Sequence, residues 1–523
     1  MVSDALAERY VDEGWWDGST LAARVRQHAL DQPEAVAVVD ETTDASVSYS
    51  QLWADACRVA AFLGDHGVWP GQVVSVQLPN WYETVAVDLG VLSRGAVLNP
   101  LLPNYRAREL DHILRTARTK LLFTPDEFRG FDHAALGRDL HQSVDTLDHH
   151  VVVRGAGDFW QQVLGRAPAH LEPVTDPAAL SEVIFTSGTE ATPKGVMHTE
   201  HTTNCNVRSA HAVNELTDDD VVWVPSPIGH STGLNFGVRL ALYFGMKLVL
   251  QDRWDAERAV ELIERERCSY TLAATTFLTD LVAAAQYSDR DVSSLTRFGC
   301  GGAPVPPEIV RAGADAGINV LRIYGLTEAL VVSWNRADSP LEKRMHTDGL
   351  ALPEVELETR DGEVMVRGPN VCVGLFDDPE RERAIFTDDG WLHTGDAGVI
   401  DDEGYLSIVG RKKEIIIRGG LNIAPREIED LLCEMPTVRA AAVIGLPDER
   451  LGEITCACLV VDDDVAGDGC GPDLDAIVDF LQSRDLATYK LPQQVRIVSG
   501  LPTTPSGKIR KNELRELILG GTP

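Results

Sequence analysis

Four hydroxyls, two glycines and one lysine fall within Thr186-Ser187-Gly188-Thr189-Glu190-Ala191-Thr192-Pro193-Lys194-Gly195. The apolar run Val183-Ile184-Phe185 just before it reads as a strand. A strand that opens into small hydroxylated residues can wrap an anion in N–H and O–H donors, and a lysine can neutralise it. The G-x-x-x-x-G-K-[ST] spacing of a Walker loop is absent.

Five other segments carry residue types suited to a nucleotide and an acyl group. Pro227-Ile228-Gly229-His230-Ser231-Thr232-Gly233 sets a histidine among small residues. Phe298-Gly299-Cys300-Gly301-Gly302-Ala303-Pro304 lets backbone approach a flat group. Tyr324-Gly325-Leu326-Thr327-Glu328 offers an aromatic plane, a hydroxyl and a carboxylate. Trp391-Leu392-His393-Thr394-Gly395-Asp396 offers a carboxylate able to accept from a diol. Leu501-Pro502-Thr503-Thr504-Pro505-Ser506-Gly507-Lys508-Ile509-Arg510 presents a lysine on a tight loop.

Elements must hold these segments in place. Val36–Val39, Val73–Val76, Ala96–Leu98, Val221–Val224, Lys247–Leu250 and Val320–Ile323 read as buried strands, separated by helical patterns such as Leu21–Leu30 and Tyr49–Leu63. That alternation predicts an α/β chain with mainly parallel sheets. At 523 residues the chain exceeds one ordinary core. The expected division is a large N-terminal part over 1–410 that includes a β-structured portion, and a small α+β part over 414–523. Pro425-Arg426-Glu427-Ile428-Glu429-Asp430-Leu431-Leu432 reads as a helix opened by proline. Trp15-Trp16 reads as a docking patch for the N-terminal segment.

Formal net charge is −33, which disfavours nucleic acid as a partner. No apolar run reaches the length of a membrane span, and Met1-Val2-Ser3-Asp4 does not open a secretory signal. Nine scattered cysteines without metal-ligand spacing suit free thiols and a cytoplasmic setting.

Taken in order, these segments resemble the motif series of the adenylate-forming superfamily, which includes acyl-CoA synthetases, adenylation domains and beetle luciferases. Pro225–His230, Met345-His346-Thr347-Asp348-Gly349 and Gly410-Arg411-Lys412-Lys413 look most like medium-chain and cyclohexanecarboxylate-type acyl-CoA ligases. The resemblance implies an acid activated with ATP to an acyl-adenylate and then passed to coenzyme A. It implies that Thr186, Ser187, Gly188, Thr189 and Lys194 hold phosphates. Gly302, Ala303 and Pro304 would border adenine, with Tyr324 and Gly325 against it, and Asp396 would take the ribose with Arg411 close by. Thr327 would bond the α-phosphate, and Glu328 would hold Mg²⁺, a hard cation suited to oxygen ligands. Lys508 would touch the carboxylate and the α-phosphate, and His230 would stand between the acyl pocket and the thiol tunnel. Residues 411–413 would form a hinge at Lys413 about which a mobile C-terminal domain turns, and Gly419 and Gly420 would border the pantetheine.

The same resemblance assigns the acyl pocket to Ser231, Asn235, Thr275, Thr276, Phe277, Gly299, Cys300, Leu326, Leu330 and Val331. Ser231 stands where amino-acid-activating relatives place an aspartate, so an apolar acid is expected: medium-chain, alicyclic, aryl or terpenoid. Gly299 and Cys300 are expected to leave room for bulk, with Cys300 a wall residue and not a nucleophile.

The phosphate loop departs from the family text at Glu190 and Ala191. A carboxylate ~4 Å from a phosphate charge at an effective dielectric near 20 costs about 4 kcal/mol before solvation and Mg²⁺ reduce it. An alanine where φ must be positive costs roughly 1–2 kcal/mol. Four outcomes therefore stay open: a two-step ligase, a member that mainly thioesterifies an adenylate supplied by a separate adenylating enzyme, transfer to a carrier protein, and a non-catalytic binder. An oligomer is compatible with each.

Overall fold

The computed structural model describes residues 3–155, 159–166, 173, 176–186, 193–303, 305–418, 421–448, 450–461, 471–484, 486–504 and 508–520. Two large sheets form its bulk. The nine-stranded sheet runs from Leu350–Ala351 through Leu330–Trp334, Val320–Leu326, Arg297–Cys300, Tyr270–Ala273, Val221–Val224, Lys247–Leu250 and Val36–Asp40 to Ala45–Ser48. Its inner pairings are parallel, and only the outer strands turn antiparallel. The seven-stranded sheet runs from Gly374–Leu375 through Lys194–Thr199, Leu180–Thr186, Val97–Pro100, Val73–Val76 and Leu121–Pro125 to His149–Val153. The β-branched runs thus become strands buried on both faces, as parallel strands must be.

The helix Tyr82–Ser93 is buried along its whole length. A helix buried all round needs cover on every side. Val85, Leu89 and Leu92 supply it by joining Val38 and Val224 of one sheet and Val74 and Leu98 of the other in one core.

A smaller antiparallel sheet, Glu356–Arg360, Glu363–Arg367, Leu392–Ile400 and Leu406–Arg411, follows. Its register pairs Asp396 with Arg411. The last sheet holds Leu421–Ile423, Ile416–Arg418, Gly452–Val461 and Val438–Asp448, with Gln494–Ile497 parallel to Gly452–Val461. Pro425 sits in the first turn of the helix Pro425–Leu432, where its missing N–H costs nothing. Trp16 does anchor the N-terminal segment, donating Nε1–H to the Pro369 carbonyl at 3.0 Å and stacking on His201.

Behind His230 the chain makes a short helical turn, then a π-helix over Leu234–Arg239, then an α-helix over Leu240–Phe244. Arg239 is 1% exposed and binds four side chains: Glu182, Glu200 at 2.6 Å, Asn204 at 2.8 Å and Asn235 at 3.0 Å. No helix among the described residues is long and apolar enough to cross a membrane. Among the described residues no cysteine forms a disulfide.

Candidate active site

The phosphate loop is the connection of an antiparallel pair, with Thr186 opposite Lys194. Ser187, Gly188, Thr189, Glu190 and Ala191 lie outside the described residues. Thr186 keeps a buried hydroxyl with no hydrogen-bond partner among the described residues. The Lys194 ammonium is ion-paired with Glu328, which ties the end of this loop to Tyr324–Glu328. His198 adds a second tie, donating Nε2–H to the Thr327 carbonyl at 2.8 Å. Burial lowers the His198 pKa, so the ring serves as a neutral strut.

Tyr324 and Gly325 close a hairpin with Leu330–Trp334. A Cβ on Gly325 would lie 2.3 Å from the Leu330 carbonyl oxygen, so this crossing demands glycine. Leu330 itself sits at φ 53°, a left-handed backbone that strains a leucine. Leu330 and Val331 are buried, and Leu326 is half-buried.

The Tyr324 phenol donates to Asp396 Oδ2 at 2.6 Å, and Arg411 Nε meets Asp396 Oδ1 at 2.7 Å. Burial raises the Asp396 pKa, opposed by the Arg411 charge, the Tyr324 hydrogen bond and the Lys508 charge. Lys508 comes from the far end of the chain. Its loop is closed by Lys508 N–H on the Thr504 hydroxyl at 3.0 Å and Thr504 N–H on the Lys508 carbonyl at 2.7 Å. Burial lowers the Lys508 pKa and the Arg411 charge lowers it further, with Asp396 and Glu414 opposing. The structure therefore gathers Tyr324, Asp396, Arg411 and Lys508 into one electrostatic unit, with Glu328 acting on Asp396 from nearby. Lys508 can stabilise negative charge only as a cation. Adenylation is expected to fall on the alkaline side below 10.5, the ordinary lysine value, and that limb should vanish in Lys508→Arg. A pyrophosphate-exchange pH profile checks this; a limb that persists in the arginine variant would assign it to another group.

His230 is half-buried, and its Nδ1 accepts from the Thr232 N–H at 3.2 Å. Nε2 therefore carries the proton, and burial keeps the ring below its usual pKa. Glycines on either side hold it in place. A Cβ on Gly229 would meet the Leu101 carbonyl oxygen at 2.3 Å, and one on Gly233 the Pro227 carbonyl oxygen at 2.3 Å.

The expected pocket residues divide. Ser231 is buried and receives a hydrogen bond from Asn235 at 3.3 Å. Asn235 is wholly buried and belongs to the Arg239 network. Thr275, Thr276 and Phe277 open the helix Thr275–Gln286; Thr276 is exposed, and Phe277 packs on Trp254. Burial pushes the Cys300 thiol up to about 12, which leaves it protonated and unreactive. Gly302 has φ 81° with open space beside it, and Ala303 follows. Pro304, Gly419 and Gly420 lie outside the described residues. Lys413 lies in the 3₁₀ turn Lys412–Glu414, between the antiparallel sheet and the last sheet.

The expectation that Gly299 leaves room for bulk is corrected. A Cβ there would meet Leu272 Cδ1 at 2.7 Å and Trp334 Cζ2 at 2.8 Å, so the missing side chain is filled by an indole from the neighbouring hairpin. Cys300 is likewise wholly buried.

Two clusters escaped the sequence reading. One is Glu182–Arg239–Glu200. The other joins Arg322 to Asp348 at 2.7 Å and Asp348 to Arg426 at 3.7 Å, reaching from the main body to the helix Pro425–Leu432. The only signal was a charge inside an apolar stretch, as with Glu182 in Leu180–Thr186.

The described residues hold no cluster of three potential metal ligands. Glu328, a single carboxylate beside Lys194, fits Mg²⁺ as that ion usually binds, through one protein carboxylate with phosphate and water oxygens.

Residues 25–376 match the family model described as AMP-binding enzyme, and residues 427–508 match the one described as AMP-binding enzyme C-terminal domain. The chain is 35% identical to a medium-chain fatty-acid–CoA ligase of Escherichia coli K12, over 98% of this chain and 92% of the relative. It is also 35% identical to 3-[(3aS,4S,7aS)-7a-methyl-1,5-dioxo-octahydro-1H-inden-4-yl]propanoyl:CoA ligase of Rhodococcus jostii RHA1, over 95% and 98%. ATP-bound MatB from Rhodopseudomonas palustris superposes with a TM-score of 0.84 at 29% identity, covering 95% of this chain and 98% of that one.

Proposed function

Because this chain belongs to the family of AMP-binding enzymes and is an AMP-forming acid–thiol ligase, we propose that its acid is apolar and that its thiol acceptor is coenzyme A. The observation that carries the reading is Lys508 brought up to the Asp396–Arg411 pair, with Lys194 and Glu328 at the adjoining loop.

In the first step a carboxylate oxygen of the acid bonds to the α-phosphorus of ATP and pyrophosphate leaves. Asp396, held by Tyr324 and Arg411, would accept from the ribose hydroxyls through its remaining lone pairs. Lys508 offsets the charge gathered between carboxylate and α-phosphate, in a partly buried site where such an offset is strong. Mg²⁺ bound at Glu328 would supply further neutralisation of the phosphates. In the second step the thiol sulfur bonds to the acyl carbon, AMP leaves with the electron pair, and the thiol proton passes to solvent. His230, neutral and fixed by Thr232 and two glycines, lines the approach. Ser231, in place of a carboxylate, gives an ammonium-bearing acid no partner. The pocket wall of Leu326, Leu330 and Val331 suits a medium-chain, alicyclic, aryl or terpenoid acid.

Incubation with ATP, CoA and a panel of such acids should give acyl-CoA, AMP and pyrophosphate by mass spectrometry. Absence of thioester from every acid, with preformed adenylates as well as with ATP, would refute the reading.

The Glu190-Ala191 departure supports a second reading, in which adenylation is the slow half-reaction. The double change Glu190→Thr, Ala191→Gly is then expected to raise pyrophosphate exchange at least tenfold, leaving thioester formation from preformed adenylate within about twofold. Exchange that is already fast in the parent enzyme would sink this second reading.

A further inference from the structure

Arg426 and Lys508 belong to one packed piece. Ile428 and Leu432 of the helix Pro425–Leu432 share a core with Val443 and Ala457 of the last sheet. Leu501 and Ile509, on the loop that carries Lys508, share another with Ala442, Ile444, Cys456 and Cys458 of the same two strands. Side chains alternate across a strand, so helix and loop cover opposite faces of one sheet. A direct tie completes the piece. Lys511, three residues after Lys508, meets Glu429, three residues after Arg426, at 2.6 Å. Glu429 also accepts the Val443 N–H at 2.6 Å. Whatever fixes Arg426 therefore fixes Lys508.

The place where Arg426 docks is built into the nucleotide side. The arginine side chain is 12% exposed, and its guanidinium lies 3.7 Å from Asp348. Arg322 holds Asp348 at 2.7 Å, and the Ile408 N–H holds it at 2.8 Å. Arg322 stands two residues before Tyr324 on the strand Val320–Leu326, and Ile408 three residues before Arg411 on the strand Leu406–Arg411. Tyr324 and Arg411 both bind Asp396. The other acid near Arg426 is Asp430, 3.7 Å away on its own helix, so it travels with the arginine. Asp348 is the partner that belongs to the main body.

We propose that Arg426 is a positioning residue for adenylation. Docked on Asp348, it holds the C-terminal part in the orientation that brings Lys508 up to Asp396 and Arg411. It lets go when that part turns for thioester formation. The inference rests on the two-step ligase reading and adds to it a residue that serves one step, through Lys508.

Arg426→Ala should slow pyrophosphate exchange by about 3- to 30-fold, the range for one link between coupled sites. Thioester formation from preformed adenylate should stay within about twofold, a split that a merely structural role would not produce. Arg426→Lys, which restores the charge, should recover part of the exchange rate. In the Lys508→Ala background, Arg426→Ala should cost less than about twofold, since no lysine is left to position. If exchange by the parent is too slow to measure, calorimetric affinity for an acyl-sulfamoyl-adenosine, a stable mimic of the adenylate, replaces it in each comparison. Arg426→Gln decides the matter if Arg426→Ala does not fold. Equal losses in both half-reactions, an unchanged first half-reaction, or an undiminished effect in the Lys508→Ala background would overturn the inference. Thioester formation from preformed adenylate by the parent enzyme tests the ligase reading by itself, so failure of one is distinguishable from failure of the other.

Discussion

Lys508→Ala is expected to slow acyl-adenylate formation by about 10²- to 10³-fold, the usual effect of removing one preorganised donor to a developing charge. The lysine reaches the site from a loop closed on Thr504 and is already partly desolvated there. In the proposed reaction it would therefore meet the phosphate with part of its solvent shell already shed. Thioester formation from a preformed adenylate needs no new charge at phosphorus, and a loss below tenfold is expected in that step. The comparison takes pyrophosphate exchange for the first half-reaction and release of CoA thioester from synthetic adenylate for the second. Equal losses in both would place Lys508 in general folding or binding and not in adenylation. Lys508→Arg should retain part of the rate, since charge survives but shape does not.

Arg239→Met carries the largest expected cost to stability, about 3–5 kcal/mol. The guanidinium is 1% exposed and holds Glu182 and Glu200, both buried. Removing it strands two carboxylates in a core where, among the described residues, Asn235 is left to bond Glu182 and the Leu21 N–H to bond Glu200. A sharply lower midpoint in chemical denaturation is expected. Glu182→Gln with Glu200→Gln in the Arg239→Met background should recover much of it, since the stranded charges are then gone. An unchanged midpoint in the single variant would mean that the network is solvated in ways its burial denies. The same variant should also disturb His230, because Asn235 bonds both Arg239 and Ser231, the residue after the histidine.

What could be read in the sequence was what is local. Runs such as Val73–Val76 and Val221–Val224 announce buried strands because β-branched residues without polar interruption have few other uses. Tyr49–Leu63 shows its helix by period, and the structure extends it only to Asp65. Pro425 marks a helix start for reasons of its own ring. The pairing of Asp396 with Arg411 could be guessed from motif text, but its cause is the strand register. Nothing local announced the π-helix at Leu234–Arg239, since one inserted residue leaves the apolar pattern nearly intact. Gly299 misled for a related reason. A missing side chain looks like space in a sequence, whereas in a packed interior it is a socket for a neighbour, here Trp334. Arg239 finds its partners 57 and 39 positions away, a distance over which spacing carries no information.

The Asp348 contact has a consequence for reversibility. Arg426 reaches this carboxylate at 3.7 Å from the C-terminal part, while Arg322 at 2.7 Å and the Ile408 N–H at 2.8 Å hold it from the main body. If the C-terminal part turns away, Asp348 keeps its nearer cation and its amide, and Arg426 carries its charge out to water. No ion is abandoned in a dry interior by the separation. The contact can therefore be made and broken at each turnover with little electrostatic penalty, as a mooring line is, where a buried pair shared evenly across the boundary would have locked the two parts together.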